Sequence, residues 1–290
     1  MSATAAGVLH TPTALALARR RRIVSRAVQT LCLAATAIGL LFLAWILVTL
    51  VLRGIAGLSF GVFTHMTRPP GSNGGLLNAI VGSLIQVAIG TVIATPIGIM
   101  VGTYLSEYGG NRALSNVIRF ISDVLLSAPS ILIGLFIYGI LVQPFGAFSG
   151  LAGSVALAVL AIPIIVRTTE DMLRLVPIGL REAAVALGAP RWKSIVQVCY
   201  PAAREGMLTG VMLAVARMAG ETAPLLFTSF GNLNWSADLT GPMASLPVTI
   251  YQYAGSAFVD WVQLAWTGAL IITVGVLALN IVARMALHRR

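Results

Sequence analysis

The chain has 290 residues, of which 58% are hydrophobic and only 10% charged, and its formal net charge is +10. A mean hydropathy of +0.92 is far above what a water-soluble core of this length requires. The composition therefore excludes a soluble globular enzyme and reads as an integral membrane protein.

Crossing about 30 Å of hydrocarbon as a helix takes about 20 apolar residues. Runs of that kind lie at 27–52, 78–106, 118–142, 151–166, 206–229 and 264–286, so the expected fold is an all-α membrane protein with six transmembrane helices. Residues 1–26 read as a tail ending in the basic run Arg19 to Arg22 and Arg26. The apolar stretch after it is too long for the core of a signal peptide and lacks a small-x-small cleavage site, so it is kept as a helix. In the second run Gln86 and Pro96 read as packing and kink features, and Asp123 in the third as a helix-start residue at the interface. The outer connections are the Gly/Pro-rich MTRPPGSNGG, the short QPFGAFSG, and a longer segment over 230–262 whose aromatics suit the outer interface.

The segment from Arg167 to Glu205 holds Arg167, Glu170, Asp171, Arg174, Arg181, Glu182, Arg191, Lys193, Arg204 and Glu205. Within it Pro177 opens PIGLREAAVALGAP. LREAAVAL is a strong helix former, Gly188 suits the left-handed position that ends a helix, and Pro190 cannot continue it. RWKSIVQV reads as a second short helix closed by Pro201. Two short helices at a fixed angle suit contact with a soluble partner. A loop lying on the membrane surface is the other reading, and the residues alone leave it open.

In the six-crossing arrangement Arg19 to Arg22, Arg26, Arg112, Arg119, Arg167, Arg174, Arg181, Arg191, Lys193, Arg204, Arg284, Arg289 and Arg290 share one side, against Arg53 and Arg68 on the other. The positive-inside rule places both termini in the cytoplasm. Topology and anionic lipid account for the net charge, and a nucleic-acid partner is not required. Cys32 and Cys199 sit in a helix and on the reducing side, so no disulfide is expected, and His10, His65 and His288 have no metal-ligand spacing.

The fifth run carries Arg217 and Glu221 four residues apart, near what would be the midpoint of one helix. An arginine at that depth costs about 2.5–3.5 kcal/mol on insertion scales, so it is expected to face protein or water. Gly210 and Ala214 continue the same stripe, and Pro224 is expected to bend the helix just beyond. Two readings stay open: a structural pair that neutralises itself for insertion, or a transient site for an anion, to which arginine's planar fork is suited. Arg167 is either a second basic station or an arginine snorkelling to the interface.

The stretch EAAVALGAPRWKSIVQVCYP, from Glu182, Ala183 and Ala184 through Gly188 to Pro201, resembles the EAA signature of ABC importer permeases, with Tyr200 where that family usually has leucine. Together with GTYLSEYG (102–109), APSILIGLFIYG (128–139), RTTEDML (167–173) and ARMAGETAPLLFT (216–228), it resembles the A-type permease subunits of phosphate-specific (Pst) transport complexes over most of 78–284. The resemblance implies a type I importer in a bacterial plasma membrane. Such a permease pairs with a second permease subunit, two cytoplasmic ATPases and an extracytoplasmic phosphate-binding protein. It implies a permease domain over 78–284 with a coupling segment over 177–201, and a C-terminal tail over 285–290. Glu182 is then expected to meet a basic group of the ATPase, Ala183 and Ala184 to share that contact, and Gly188 to set the helix angle. Phosphate would pass Arg217, Glu221 and Arg167. The chain has no GxxxxGK[ST] loop, so ATP and Mg are expected on the partner ATPase, and this chain is expected to bind no cofactor and catalyse nothing. Rival readings are a permease for phosphonate or sulfate, an ion-coupled secondary transporter, and a non-transporting membrane sensor.

Overall fold

The structure, a computed structural model, describes residues 12–72, 74–110 and 112–288. The parts of the expected tails at 1–11 and 289–290 lie outside them. No strand occurs among the described residues, and the chain divides into two compact units, Met1–Leu52 and Arg53–Arg290.

The first unit is carried by helix α1, Pro12–Ala56, which begins well before the expected start at 27. Hydroxyls in its apolar stretch find partners within the helix: Thr36 Oγ1 donates to the Cys32 carbonyl (2.8 Å), and Thr30 does the same toward Ala27 (2.9 Å). Such local bonds make a hydroxyl tolerable where water is absent.

The second unit begins at the last turn of α1 and continues through α2 (Phe60–Thr64), α3 (Leu77–Thr103), α4 (Ala113–Ser127), α5 (Ser130–Ile137), α6 (Gly150–Arg174) and α7 (Ile178–Ala186). After these come α8 (Arg191–Ser194), α9 (Tyr200–Gly220), α10 (Ala223–Thr228), α11 (Leu246–Ala254) and α12 (Val259–His288). Wider π-helical turns follow α3 (Tyr104–Gly109) and α5 (Tyr138–Val142), and a third joins α8 to α9 (Ile195–Cys199).

Helix ends in this unit are closed by side chains and loops, because terminal N–H and C=O groups have no intrahelical partner. Gln263 Nε2 and Thr267 Oγ1 of α12 donate to the carbonyls of Arg53 and Gly54 at the end of α1. Ser149 caps α6 by accepting from Ala152 N. The carbonyls of Gly241 and Leu239, in the long outer segment, accept from Gly150 and Leu151.

At the centre α3, α6 and α9 pack around Ala94, Leu157, Ala161, Ile165, Ala214 and Met218. Gly90, Ala94, Gly98 and Gly102 fall four apart along α3 and are all buried. A Cβ at Gly98 would lie 2.6 Å from Ile165 Cβ, and one at Gly102 would lie 2.7 Å from the Val166 carbonyl. Small residues at this spacing let two helix backbones approach closely.

Among the described residues four helical stretches, Arg19–Ala56, Leu77–Gly109, Gly150–Arg174 and Val259–Val282, are long and apolar enough to cross a membrane. Six spans are not confirmed by length and composition. The third run is two helices, Ala113–Ser127 and Ser130–Val142, bent by 106°, and gives at most a fifth span. Pro129 causes the elbow by pushing Ala128 into an extended conformation (φ −67°, ψ 136°). Asp123 consequently lies inside α4 and not at a helix start.

The fifth run is also broken. Pro224 has no N–H to give the Gly220 carbonyl, and its ring would clash with that carbonyl in a continuous helix. The helix ends at Gly220, Glu221 is extended (φ −73°, ψ 126°), and a new helix starts at Ala223. Pro201, by contrast, ends nothing: it sits in the first turn of α9, and the wide turn Ile195–Cys199 just before it carries the helical path through from α8.

Candidate functional site

Arg217 stands in the last turn of α9 and Glu221 just past its end, a correction to the mid-helix position expected for the arginine. The two do pair, with Arg217 Nε 3.2 Å from Glu221 Oε1 and side chains 43% and 15% exposed. A cation in the final turn is favoured by the helix dipole. Gly210 and Ala214 are buried, and a Cβ at Gly210 would lie 2.6 Å from Thr168 Cβ. Their stripe thus packs against α6, while Arg217 emerges beyond that contact.

Arg167 was expected at the end of its helix, but α6 continues to Arg174. Its Nε lies 3.5 Å from Asp171 Oδ2, both side chains being about half exposed. None of the ion pairs among the described residues joins Arg167 to Arg217 or Glu221.

Helix α7 behaves as its residues require. Pro177 precedes its first turn, Gly188 is left-handed (φ 78°), and Gly188 N and Ala189 N donate to the carbonyls of Val185 (2.9 Å) and Ala184 (3.1 Å). This pair of bonds is the Schellman closure that a glycine at this position permits. Ala184 is buried, whereas Glu182, Ala183 and Gly188 are exposed. No ion pair joins Glu182 to another described residue of the chain. Around it Ile178, Val185, Leu187 and Trp192 are exposed, Leu187 by 89%.

Two buried carboxylates, Glu107 and Glu170, are each paired with arginine. Glu107, in the turn after α3, accepts from Arg181 of α7 (2.8 Å), and its backbone carbonyl accepts from Arg191. Arg191 also lies over the Tyr108 ring, 4.9 Å from its centre. Arg181 reaches the carbonyls of Leu173 and Val176 at the end of α6 (2.6 Å each). Partial burial opposes its charge, but the Glu107 carboxylate more than offsets this and raises its pKa above the usual value. Glu170 of α6 accepts from Arg119 of α4 (2.9 Å) and Arg174 (2.5 Å). Thr103 and Tyr200 hydroxyls, 2.9 Å apart, tie α3 to α9.

A model of the binding-protein-dependent transport system inner membrane component matches residues 94–289. The chain belongs to that family. The phosphate transport system permease protein PstA of Pasteurella multocida is 54% identical over 265 residues, covering 91% of this chain and 95% of that protein. PstA of Yersinia pestis is 54% identical over 271 residues, covering 93% and 92%. PstA 1 of Mycobacterium tuberculosis strain H37Rv is 38% identical over 275 residues, covering 93% and 89%. Among solved structures, a chain of the inward-facing MetNI methionine ABC transporter superposes with a TM-score of 0.60 at 21% identity, covering 74% of this chain and 95% of that one. That likeness gives the fold, a type I ABC importer permease.

In this inner membrane component the sequence alone singled out Glu182, Ala183, Ala184, Gly188 and Pro201, and it missed Glu107, Arg119 and Glu170 as a connected set. The signal available for Glu107 was an acidic residue abutting a long apolar run. An ionisable group at such a place calls for a partner, but the expected span ended at 106.

Proposed function

We propose that this multi-pass permease carries inorganic phosphate inward across the plasma membrane as one subunit of an ATP-driven importer. The observation that carries the reading is 50–54% identity, over nearly the whole of both chains, to proteins named phosphate transport system permease PstA. In this reading a second permease subunit completes the translocation path, an extracytoplasmic binding protein delivers phosphate, and a pair of cytoplasmic ATPases holds ATP and Mg. The chain itself makes and breaks no bond. Both termini, including the tails at 1–26 and 285–290, face the cytoplasm, and 78–284 is the permease domain.

The coupling segment 177–201 meets the ATPase. Glu182 supplies the charge, Ala183 lets the partner approach closely, the buried Ala184 seats the helix against its own chain, Gly188 fixes the turn, and Pro201 starts the helix that leads back into the bundle. The exposed Ile178, Val185, Leu187 and Trp192 give this surface its apolar area. Arg217 offers phosphate a transient charge-assisted contact, Glu221 holds its rotamer and tempers its field, and Arg167 is a further basic station.

Uptake of radiolabelled phosphate into proteoliposomes bearing the assembled complex tests the reading. Phosphate, and neither sulfate nor phosphonate, should compete, and uptake should require ATP. Uptake that persists without the ATPases would point to a secondary transporter. Replacing Arg217 and Glu221 by Met, singly and together, separates path from pair: if the double substitution restores uptake that the single ones lose, the pair is structural.

A further inference from the structure

The guanidinium of Arg181 joins three elements at once. It belongs to α7, it bonds the carbonyls of Leu173 and Val176 at the end of α6, and it meets Glu107 Oε1 at 2.8 Å in the turn that closes α3. The Glu107 side chain is 7% exposed, so the contact is shielded from solvent. Arg191, on the far side of Gly188, holds the same turn through the Glu107 carbonyl and the Tyr108 ring. The hairpin α7–α8 therefore grips the SEYG turn with one arginine from each arm.

Between arms and turn lies a cavity of about 430 Å³, lined by Glu107, Arg181, Val185 and Arg191 among others. Close apolar packing does not fill this gap; the charged side chains bridge it. Arg181 and Arg191 can thus pull on the end of α3, a helix packed along α6 through Gly98 and Gly102. Other paths from the hairpin into the bundle run through the Arg181 bonds to the end of α6 and along the continuous rod from α8 through Ile195–Cys199 into α9.

We propose that Glu107 is a positioning residue for coupling: through Arg181 it passes the displacement of α7 to α3, so that ATP hydrolysis by the partner is converted into movement of the membrane helices. This rests on the reading of α7 as the ATPase contact. Glu107 touches neither phosphate nor ATP, and its loss should change the yield of the cycle more than its turnover.

The test uses the complete complex in proteoliposomes, with ATP hydrolysis and radiolabelled phosphate uptake measured in the same vesicles for the unaltered chain, Glu107→Gln and Glu107→Ala. Glu107→Gln keeps the volume and removes the charge. Co-purification of all subunits and an unchanged thermal midpoint for Glu107→Gln establish assembly. The expected result is hydrolysis within about twofold of the unaltered complex while phosphate moved per ATP falls about fivefold or more, the lower end of ordinary coupling effects. An unchanged ratio overturns the proposal, whether both rates persist or both fall in parallel, because α6 or α9 then carries the motion or Glu107 serves only folding and docking. If the unaltered complex itself moves no phosphate with ATP, the functional reading fails instead.

Discussion

Glu170 offers the most quantitative test of how the α7 end of the bundle is held. Its carboxylate is 2% exposed and accepts from Arg119 Nε at 2.9 Å and Arg174 at 2.5 Å. The Arg174 pair is a helical i, i+4 contact whose arginine is 54% exposed, worth about 0.3–0.5 kcal/mol. The Arg119 pair is largely shielded, and a charge-assisted bond of this kind contributes about 1.5–3 kcal/mol. Glu170→Ala also strips a partner from Arg119, which keeps contacts to the Leu105 carbonyl and Asn116. The loss should therefore sit near the low end of the 3–5 kcal/mol typical of a broken buried pair, at about 3 kcal/mol. Glu170→Gln should cost about half as much, since it retains shape and one acceptor. Denaturant titration of the purified chain in mixed micelles, run as a double-mutant cycle with Arg119→Met, reads the coupling directly. A coupling below about 0.5 kcal/mol, the level at which independent sites add, would refute the assignment of Glu170 as the tie between α4 and α6.

Gly98→Ala forces a Cβ to within 2.6 Å of Ile165 Cβ. The overpacking cost of about 1–3 kcal/mol should exceed the roughly 1 kcal/mol gained in helix propensity, and thermal or denaturant unfolding should show a lowered midpoint; an unchanged or raised midpoint would contradict the close approach of the two helices. Gly188→Ala meets open space but imposes φ 78° on a residue with a Cβ. It should cost about 1–2 kcal/mol and weaken ATPase co-purification if the hairpin angle matters. Burial raises the pKa of Cys199, with Glu107 adding to the shift. In a Cys32→Ser background the chain should therefore resist maleimide at pH 7 when native and react within minutes once denatured. Labelling of the native chain at the rate of a free thiol would contradict the burial.

Local signals served the sequence reading well where start and stop residues act on their own neighbours. Pro177, Gly188 and Pro190 delimit α7 and its turn in the structure as their chemistry demands. Effects that reach back along the chain were harder to place. Pro224 terminates α9 four residues earlier, at Gly220, which moves Arg217 from mid-helix to helix end. Pro129 splits an apolar run whose hydropathy alone looks continuous. The contacts of Glu107 with Arg181 and of Arg119 with Glu170 span 74 and 51 residues, and no local pattern encodes such distances. The spacing of Gly90, Ala94, Gly98 and Gly102 was visible as letters, but only the facing α6 gives it meaning.

The wide turn after α3 has a consequence for register. Along α3 the buried stripe advances four residues at a time to Gly102, and the wide turn that follows buries Leu105, Glu107 and Gly109. A π-helical turn takes up one residue more than an α-helical one, so the direction in which each of these side chains leaves the backbone depends on chain length as well as on residue type. Glu107 meets Arg181 from within that turn, and removing one residue from YLSEYG would rotate the carboxylate while leaving the composition of the helix almost unaltered.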